Sequence, residues 1–507
     1  MNLFSSNLKR NDLIKLGKEN NFQSIKINVF RNHSFEVISS IINAFLAFSE
    51  LKAEFNISSY DDSLNFDHYK DAKINIIFLD LNNYKNNIDD FIKEKIQELS
   101  NLSKVPIITL LLGKTSLKEY DIYEILKPFI DKNLIIDESN FEINASRLSN
   151  KACIRLAQIL GLSIIPSLLR PKLKAIITDL DNTLYDGILG EDGINNLKLN
   201  QNHKNLQNEL LNLKNQGILL AICSKNDEKD VKNLFEKRKD FPLKIDDFAF
   251  IKANWQSKDE NIKEIINFFN IGFDSVLFID DNIAEIENVR YLGIKTLLVN
   301  EESYFALKLF PGLLKTKLSK EDELRNADIK ANLQRQELSK LSQKDYFENL
   351  QIHLKFEINN KQNLERISQL LNKTNQFISN YSRMSLKECE DFMQENAILT
   401  IAMSDKLSDS GIIAIFIACK NNDDLIIKDL CISCRALGRK LEKIMFFKAL
   451  ELLKKYFDTK NIKLYFQNGQ KNTPFLEFLH SLKNDIKDDY ALIYEEKISY
   501  EGLVIES

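Results

Sequence analysis

The sequence predicts an α/β protein of three successive layered domains, with a doubly wound parallel sheet in the middle one. Three observations lead there. A length of 507 residues exceeds what one ordinary core accommodates. Short runs of apolar, often β-branched residues alternate with longer amphipathic stretches, the pattern of strands and helices packed in layers. The composition, 44% hydrophobic and 28% charged, is that of a chain able to bury large cores.

The first domain, residues 1–165, carries strand-like runs at 25–29, 74–79 and 106–112 and an amphipathic helix over 35–48. A helix near 150–160 is expected to stop at Gly161, with Pro166 and Pro171 marking a short link. The second domain, 166–314, alternates strands at 175–178, 218–223, 275–279 and 295–299 with helices at 203–215, 228–237, 258–269 and 284–291. Repeated βα units imply a parallel sheet whose ligands sit at the carboxyl ends of its strands. The charged stretch that follows has neither Gly nor Pro and predicts a connecting helix over 315–344. The third domain, 345–507, opens on an alternating run at 353–358. Strands at 397–403, 411–419 and 425–432 follow, then a helix at 437–456 and a strand at 463–466.

A formal net charge of -4 argues against nucleic acid as a partner, and short basic runs such as Lys237-Arg238-Lys239 read as solvated helix ends. The first ten residues show no apolar core with a cleavage site, and no run of 18 apolar residues occurs, so a cytoplasmic enzyme without a membrane segment is expected. Six irregularly spaced cysteines predict free thiols. Cys431 and Cys434 form a C-x-x-C without the second pair or His cluster that a zinc site needs.

The segment Ile176-Ile177-Thr178-Asp179-Leu180-Asp181-Asn182-Thr183-Leu184 places two carboxylates where an apolar strand stops, at the edge where α/β crevices form. Phosphate monoesters demand accelerations of up to ~10²¹, and general acid–base catalysis alone supplies only ~10²–10⁴. A covalent step and a metal must therefore be added. Asp179 can attack phosphorus, and Asp181 can protonate the leaving group and later activate water. A carboxylate approaching a phosphate dianion meets like charge, which a Mg²⁺ and a fixed ammonium relieve. The strand at 275–279 runs into Asp280-Asp281-Asn282; Asp280 and Asp281, with Asp179 and Asp181, are the candidate metal ligands, and Lys258 opens the preceding helix. Ser224, with Lys225 and Asn226, follows the strand at 218–223, where hydroxyl and backbone N–H groups can hold phosphoryl oxygens.

With this ordered set in place, the chain resembles the FkbH-like family of the haloacid-dehalogenase (HAD) superfamily, a capless phosphatase-like subgroup flanked by extra domains. The resemblance covers most of the chain. It rests on Asp179 to Leu184 followed by Gly190-Glu191-Asp192-Gly193, on Ile222-Cys223-Ser224-Lys225-Asn226-Asp227, on Trp255-Gln256-Ser257-Lys258, and on Phe278-Ile279-Asp280-Asp281-Asn282 with Glu285. Tyr185-Asp186 stands where the family has Trp-Gly. Lys373-Thr374-Asn375-Gln376-Phe377 and Ser433-Cys434-Arg435-Ala436-Leu437-Gly438-Arg439 are similar to its C-terminal signatures, in a domain resembling GNAT acyltransferases. There an Arg-x-x-Gly-x-Gly turn cradles a pyrophosphate. Here Lys440 occupies a position where a small residue is usual, and the 405–411 segment keeps only Asp405, Asp409 and Gly411 of its pattern. The N-terminal domain is similar to an SGNH-hydrolase-like or flavodoxin-like layer fold. It lacks Gly-Asp-Ser, and Ser34 is expected not to be catalytic.

The resemblance implies dephosphorylation of a phosphorylated acyl donor such as 1,3-bisphosphoglycerate, with the glyceryl group passed through an enzyme thioester to the phosphopantetheine of an acyl carrier protein. Two cysteines are candidates for the thioester. Cys434, beside Arg435 and Arg439 at a predicted helix start, would be activated by positive charge and the helix dipole. Cys223 lies beside the phosphoryl site but reads better as a small residue buried in a central strand. The resemblance also places Asn375, Gln376 and Arg383 along an acyl-acceptor groove, and leaves acyl-CoA as a possible second cofactor. Trp255 either stacks on substrate or packs beneath the Lys258 loop. A plain phosphatase of a small phosphorylated metabolite and a non-catalytic carrier-binding scaffold are the alternative functions.

Overall fold

A computed structural model of the chain describes residues 2–60, 64–66, 71–314, 328–329, 331–332, 334–335, 338, 341–469 and 472–507. It is a multi-domain α/β protein of two compact units. One comprises residues 1–172, 201–209 and 299–316, and the other 173–200, 210–298 and 317–507. The separate second and third domains of the sequence reading thus share one unit, because Ile329 and Cys434 pack on the apolar cluster beneath the central sheet. Residues 299–316 belong with the N-terminal unit, where Phe310 stacks on Phe4 with centroids 5.6 Å apart. Most of the connecting helix expected over 315–344 lies outside the described residues, and those described between 328 and 338 are helical.

The N-terminal unit holds a parallel sheet of β1 (Ser24–Arg31), β2 (Lys52–Ile57), β3 (Ile74–Asp80) and β4 (Ile107–Leu112), in the order β2-β1-β3-β4. β2 escapes a reading by apolar periodicity because polar residues interrupt it and it is only half-buried. The helix Asn150–Gln158 does not stop at Gly161. It continues through a π-helical turn, Ile159–Ile164, into Ile165–Leu169, with Pro166 tolerated in the first turn of that last segment. Gly161 is there for proximity: a Cβ at this position would lie 2.6 Å from Cβ of Phe45. The stretch Asn150–Leu169 is long and apolar enough to cross a membrane, contrary to the expectation of no such segment, but 78% of its most apolar window is buried within the protein.

The second unit has two sheets. β5 (Ala175–Thr178), β6 (Leu219–Ser224), β7 (Phe250–Ala253), β8 (Val276–Asp280) and β9 (Lys295–Leu298) form a parallel sheet in the order β7-β6-β5-β8-β9. β5, β6 and β8 are buried along their whole length, as the continuous apolar runs of a doubly covered parallel sheet require. The order reverses at β5, so the crevice of this sheet opens where β5, β6 and β8 end side by side.

The C-terminal sheet is mixed and eight-stranded. It comprises β10 (His353–Ile358), β11 (Ala397–Ser404), β12 (Asp409–Asn421), β13 (Asp424–Ile432), β14 (Asn461–Tyr465), β15 (Asn484–Ile486), β16 (Tyr490–Ile493) and β17 (Val504–Glu506), in the order β15-β16-β14-β13-β12-β11-β10-β17. The helix after β13 runs over Glu442–Phe457, five residues later than its apolar pattern suggests, because residues 434–440 form turns. Its buried residues, among them Met445, Phe446 and Leu450, join the core on this sheet.

Crowding at Gly161 sets a first prediction. Gly161→Val should lower unfolding stability by about 1–3 kcal/mol, as overpacking of a tight core does, read as a lower urea midpoint at unchanged slope.

Candidate active site

Three neighbouring strands deliver their last residues to one place. β5 ends at Thr178, and the N–H of Asp179 donates to the Ile279 carbonyl at 3.0 Å, tying the loop to β8. β8 itself ends in Asp280, fully buried, followed by Asp281. Lys258, the first residue of the helix Lys258–Phe269 and 4% exposed, reaches both carboxylates: Nζ lies 2.8 Å from Asp179 Oδ2 and 2.6 Å from Asp280 Oδ2. Carboxylate oxygens of Asp179, Asp280 and Asp281 lie within 4.8 Å of one another. Three acids facing one ammonium leave an excess of negative charge in a largely buried place, which is unfavourable without a further cation.

The electrostatics follow. Burial pushes the Asp280 carboxyl up to about 6, against the pull of Lys258 and helped by Asp179, and burial with Asp179 also raises Asp281. Burial works to lower the Lys258 ammonium, but Asp179 and Asp280 outweigh it and hold its pKa above the usual lysine range. Asp179 Oδ1 is buried without a hydrogen-bond partner. A hard, oxygen-only donor set with one unsatisfied carboxylate oxygen fits Mg²⁺, held by Asp179, Asp280 and Asp281.

Asp181 was grouped with these ligands in the sequence reading, and its carboxylate points elsewhere. Oδ1 accepts from the Tyr185 hydroxyl at 2.7 Å and from the Leu189 N–H at 3.0 Å, and Oδ2 accepts from Asn226 Nδ2 at 2.9 Å. Tyr185 is fully buried. Burial and Asp181 drive its pKa far up, so it stays a donor. Tyr185 as a partner of Asp181 was not foreseen; the signal was a Tyr where the motif that the sequence resembles has Trp. Thr183 was missed too: its hydroxyl accepts from the Asp281 N–H and donates to Asp281 Oδ1, both at 3.2 Å, fixing the second acidic loop. Ser224 lies beside the site, 1% exposed, its Oγ accepting from Asn226 Nδ2 at 3.1 Å. Lys225, expected on phosphate, instead pairs with Glu285 at 2.6 Å. Trp255 does not pack beneath the Lys258 loop; it is 72% exposed.

The cysteines separate. Cys223 is fully buried on β6, its thiol 3.8 Å from the Lys258 carbonyl, and burial raises its pKa strongly, which disfavours a thiolate. Cys434 is half-buried but does not start a helix, because the Glu442–Phe457 helix begins eight residues later. Its carbonyl accepts from Asn270 Nδ2 at 3.1 Å, and it lines a cavity of about 1030 Å³ with Phe268, Gly438, Lys440 and Phe478. Cys431, on β13, is buried in a different apolar cluster from the one Cys434 touches, so the C-x-x-C does not form a pair.

The remaining C-terminal candidates are largely engaged in holding the fold. Asp328, Arg335, Asp405 and Arg439 form a buried network. Arg439 Nη2 lies 3.0 Å from Asp328 Oδ1, Arg335 Nη1 lies 3.1 Å from the same oxygen, and Arg335 Nε lies 2.8 Å from Asp405 Oδ2. Burial would raise Asp328, but Arg439, Ser408, Arg335 and Ser410 together outweigh it and hold the carboxyl below its usual range. Arg435 is buried beside this turn. The Gly438 N–H is taken by Glu442 Oε1 at 2.6 Å. A turn whose amide and guanidinium already face carboxylates of the chain does not fit the diphosphate of coenzyme A. Arg383 donates to carbonyls of Leu371 and Thr374 and to Asn375 Oδ1, closing the end of the helix Leu364–Lys373; Gln376 is half-buried beside it. Asp409 accepts from the Gly411 N–H at 2.8 Å.

In the N-terminal unit Ser34 Oγ donates to Glu36 Oε2 at 2.6 Å. His33 stacks on Phe78, with Nδ1 3.1 Å from Ser146 Oγ, and burial pushes its pKa down to about 4. Ser34 is hydrogen-bonded to an acid and not to a histidine base, so the arrangement does not make it a nucleophile.

No family model and no curated protein matches the chain. Among solved structures it is similar to the N-terminal part of a Bacteroides fragilis protein containing a phosphatase domain complexed with Mg (22% identity, 61% of this chain and all of that one, TM-score 0.48). It is also similar to a HAD-superfamily hydrolase from Ehrlichia chaffeensis (16% identity, 27% of this chain and 97% of that one, TM-score 0.21). A third is an N-acetyltransferase from Thermoplasma acidophilum in complex with coenzyme A (15% identity, 27% and 99%, TM-score 0.21).

Lys258→Met should cost about 3–5 kcal/mol by leaving buried carboxylates unpaired, and millimolar Mg²⁺ should restore part of the lost melting temperature; equal loss with and without Mg²⁺ would argue against a cation there. His33 gives a pH signature. Its folded pKa near 4 lies below the unfolded value near 6.5, so the unfolded state binds more protons between them and stability is lost as pH falls through that window, on the order of 3 kcal/mol. His33→Phe should flatten that slope in urea titrations at pH 4.5 and 7.

Proposed function

We propose that the chain is a Mg²⁺-dependent phosphoryl-transfer enzyme working through an aspartyl nucleophile, and that it dephosphorylates an acyl donor such as 1,3-bisphosphoglycerate and hands the glyceryl group to an acyl carrier protein. The observation that carries the first half is Lys258 bridging Asp179 and Asp280 while Asp179 Oδ1 stays unpaired.

Asp179 is the nucleophile, fixed by Lys258 through Oδ2 with Oδ1 open to a cation. Lys258 offsets the like-charge repulsion between carboxylate and phosphate. Asp181, held by Tyr185, Leu189 and Asn226, is oriented to give a proton to the leaving oxygen and later to take one from the attacking water. Mg²⁺ on Asp179, Asp280 and Asp281 would supply charge neutralisation of the phosphoryl oxygens. Ser224, beside Asn226, orients those oxygens through its hydroxyl.

The second half rests on the sequence resemblance and on Cys434. Cys434 combines partial exposure with a cavity large enough for a pantetheine arm, whereas Cys223 is sealed within the sheet. The closed turn at Gly438 favours an acceptor arriving on a carrier protein over free coenzyme A.

The test is incubation of the intact chain with 1,3-bisphosphoglycerate and Mg²⁺. Release of the ester phosphate should fall by three or more orders of magnitude in Asp179→Asn, and intact mass should show a glyceryl adduct that Cys434→Ala removes and Cys223→Ala keeps. Phosphate release without an adduct supports a plain phosphatase, and release unaffected by Asp179→Asn overturns the nucleophile assignment.

A further inference from the structure

Lys225 and Glu285 belong to neither the acidic set nor the groups that hold Asp181, yet both stand at the border of the site. Lys225 is the first residue after β6, and Glu285 lies in the first turn of the helix Ile283–Arg290 that follows β8. Their ion pair, 2.6 Å from Nζ to Oε1, joins the two segments that flank the carboxyl end of β5, the strand that leads to Asp179. Neighbouring strands are about 4.8 Å apart, so β6 and β8 stand roughly 10 Å apart and long side chains are needed to close the span. The Cys223 thiol on β6 feels Glu285 along with Asp179 and Asp280, so the three charges share one neighbourhood.

With the Lys225 side chain 45% exposed, the pair is worth little to global stability, and its effect is local. Next to Lys225 in the chain is Asn226, which is buried. Its Nδ2 donates to Asp181 Oδ2 at 2.9 Å and to Ser224 Oγ at 3.1 Å. Asp181 Oδ1 already accepts from the Tyr185 hydroxyl and the Leu189 N–H. A carboxyl that gives up a proton carries it on the oxygen with fewer donors, here Oδ2, for which Asn226 supplies the hydrogen bond. That oxygen is aimed only as well as the loop that carries the amide, and a misplacement of about 1 Å can cost on the order of 10²-fold in rate.

We propose that Lys225 and Glu285 are positioning residues for the general acid: their ion pair clamps the loop after β6 to the helix after β8 and so fixes Asn226 on the proton-carrying oxygen of Asp181. The inference rests on the phosphoryl-site reading above and deepens it. As Asp179 attacks phosphorus, the P–O ester bond breaks, its electron pair stays on the departing oxygen, and that oxygen takes the proton from Asp181 Oδ2. An alkoxide needs that proton to leave, whereas a nitrophenolate leaves as the anion. Loosening the clamp therefore slows an alkyl ester far more than a nitrophenyl ester.

The test uses the intact chain with Mg²⁺ and two esters, glycerol 3-phosphate and p-nitrophenyl phosphate. Release of glycerol or nitrophenolate is read in the first turnover, before water cleaves the aspartyl phosphate. In Glu285→Gln and in Lys225→Met the saturated rate on glycerol 3-phosphate should fall by about tenfold or more relative to that on the nitrophenyl ester, with half-saturating concentrations within about twofold of the parent's. The double variant should lose no more than the larger single loss, as two halves of one contact do. Equal losses on both esters, a change confined to half-saturation, additive losses in the double variant, or no loss at all would each overturn the proposal. The crystal structure of Glu285→Gln should show Asn226 Nδ2 displaced from Asp181 Oδ2, and an undisturbed bond overturns it as well. The underlying reading has its own marker, because Asp181→Asn should move the ratio of the two rates at least as far as either variant. If Asp181→Asn slows both esters equally, the general-acid assignment falls, and if Asp179→Asn releases both as fast as the parent, the nucleophile assignment does.

Discussion

The arrangement depends on one electrostatic conflict: three carboxylates brought to the ends of two adjacent parallel strands, in a place with little water. Two charges about 4 Å apart at an effective dielectric near 20 interact by roughly 4 kcal/mol, so such a cluster does not persist unless something positive stands in it. Lys258 is that group, 2.8 Å from Asp179 and 2.6 Å from Asp280. The helix it begins lies after β7, and the strand order β7-β6-β5-β8-β9 brings that helix start back to the mouth between β5 and β8. The ammonium neutralises one charge and leaves a deficit matched to a divalent cation.

The same constraint separates two aspartates that lie two residues apart. Asp179 is kept with one oxygen open. Asp181 is turned away and fastened by three donors, among them the buried hydroxyl of Tyr185. Equal charge and near-equal sequence position thus yield different chemistry, since one carboxylate faces a cation and the other faces neutral hydrogen-bond donors.

In the C-terminal half, charge is used for architecture. Asp328, Arg335, Asp405 and Arg439 pair with one another out of water, which holds the segment before β10 against the turn after β13. Residues that resemble a ligand signature are thereby occupied, and the cavity beside them has a mixed lining in which Lys440, Glu442 and Lys443 stand with Phe268, Phe478 and Cys434.

Much of this was legible from the chain alone. The apolar runs ending in Asp179 and in Asp280-Asp281, and the helix opened by Lys258, are local patterns whose consequences follow from strand and helix geometry; the helices Glu228–Lys237 and Lys258–Phe269 match their expected bounds. What tertiary structure decided was the partner of each side chain: Lys225 went to Glu285, Asp181 to Tyr185, and Arg439 to Asp328. It also decided that Gly161 lies within a continuous helical stretch and that Cys434 sits on a turn. Periodicity and strand ends depend on neighbours a few residues away, whereas an ion pair or a close backbone approach depends on groups that meet only once distant segments are packed.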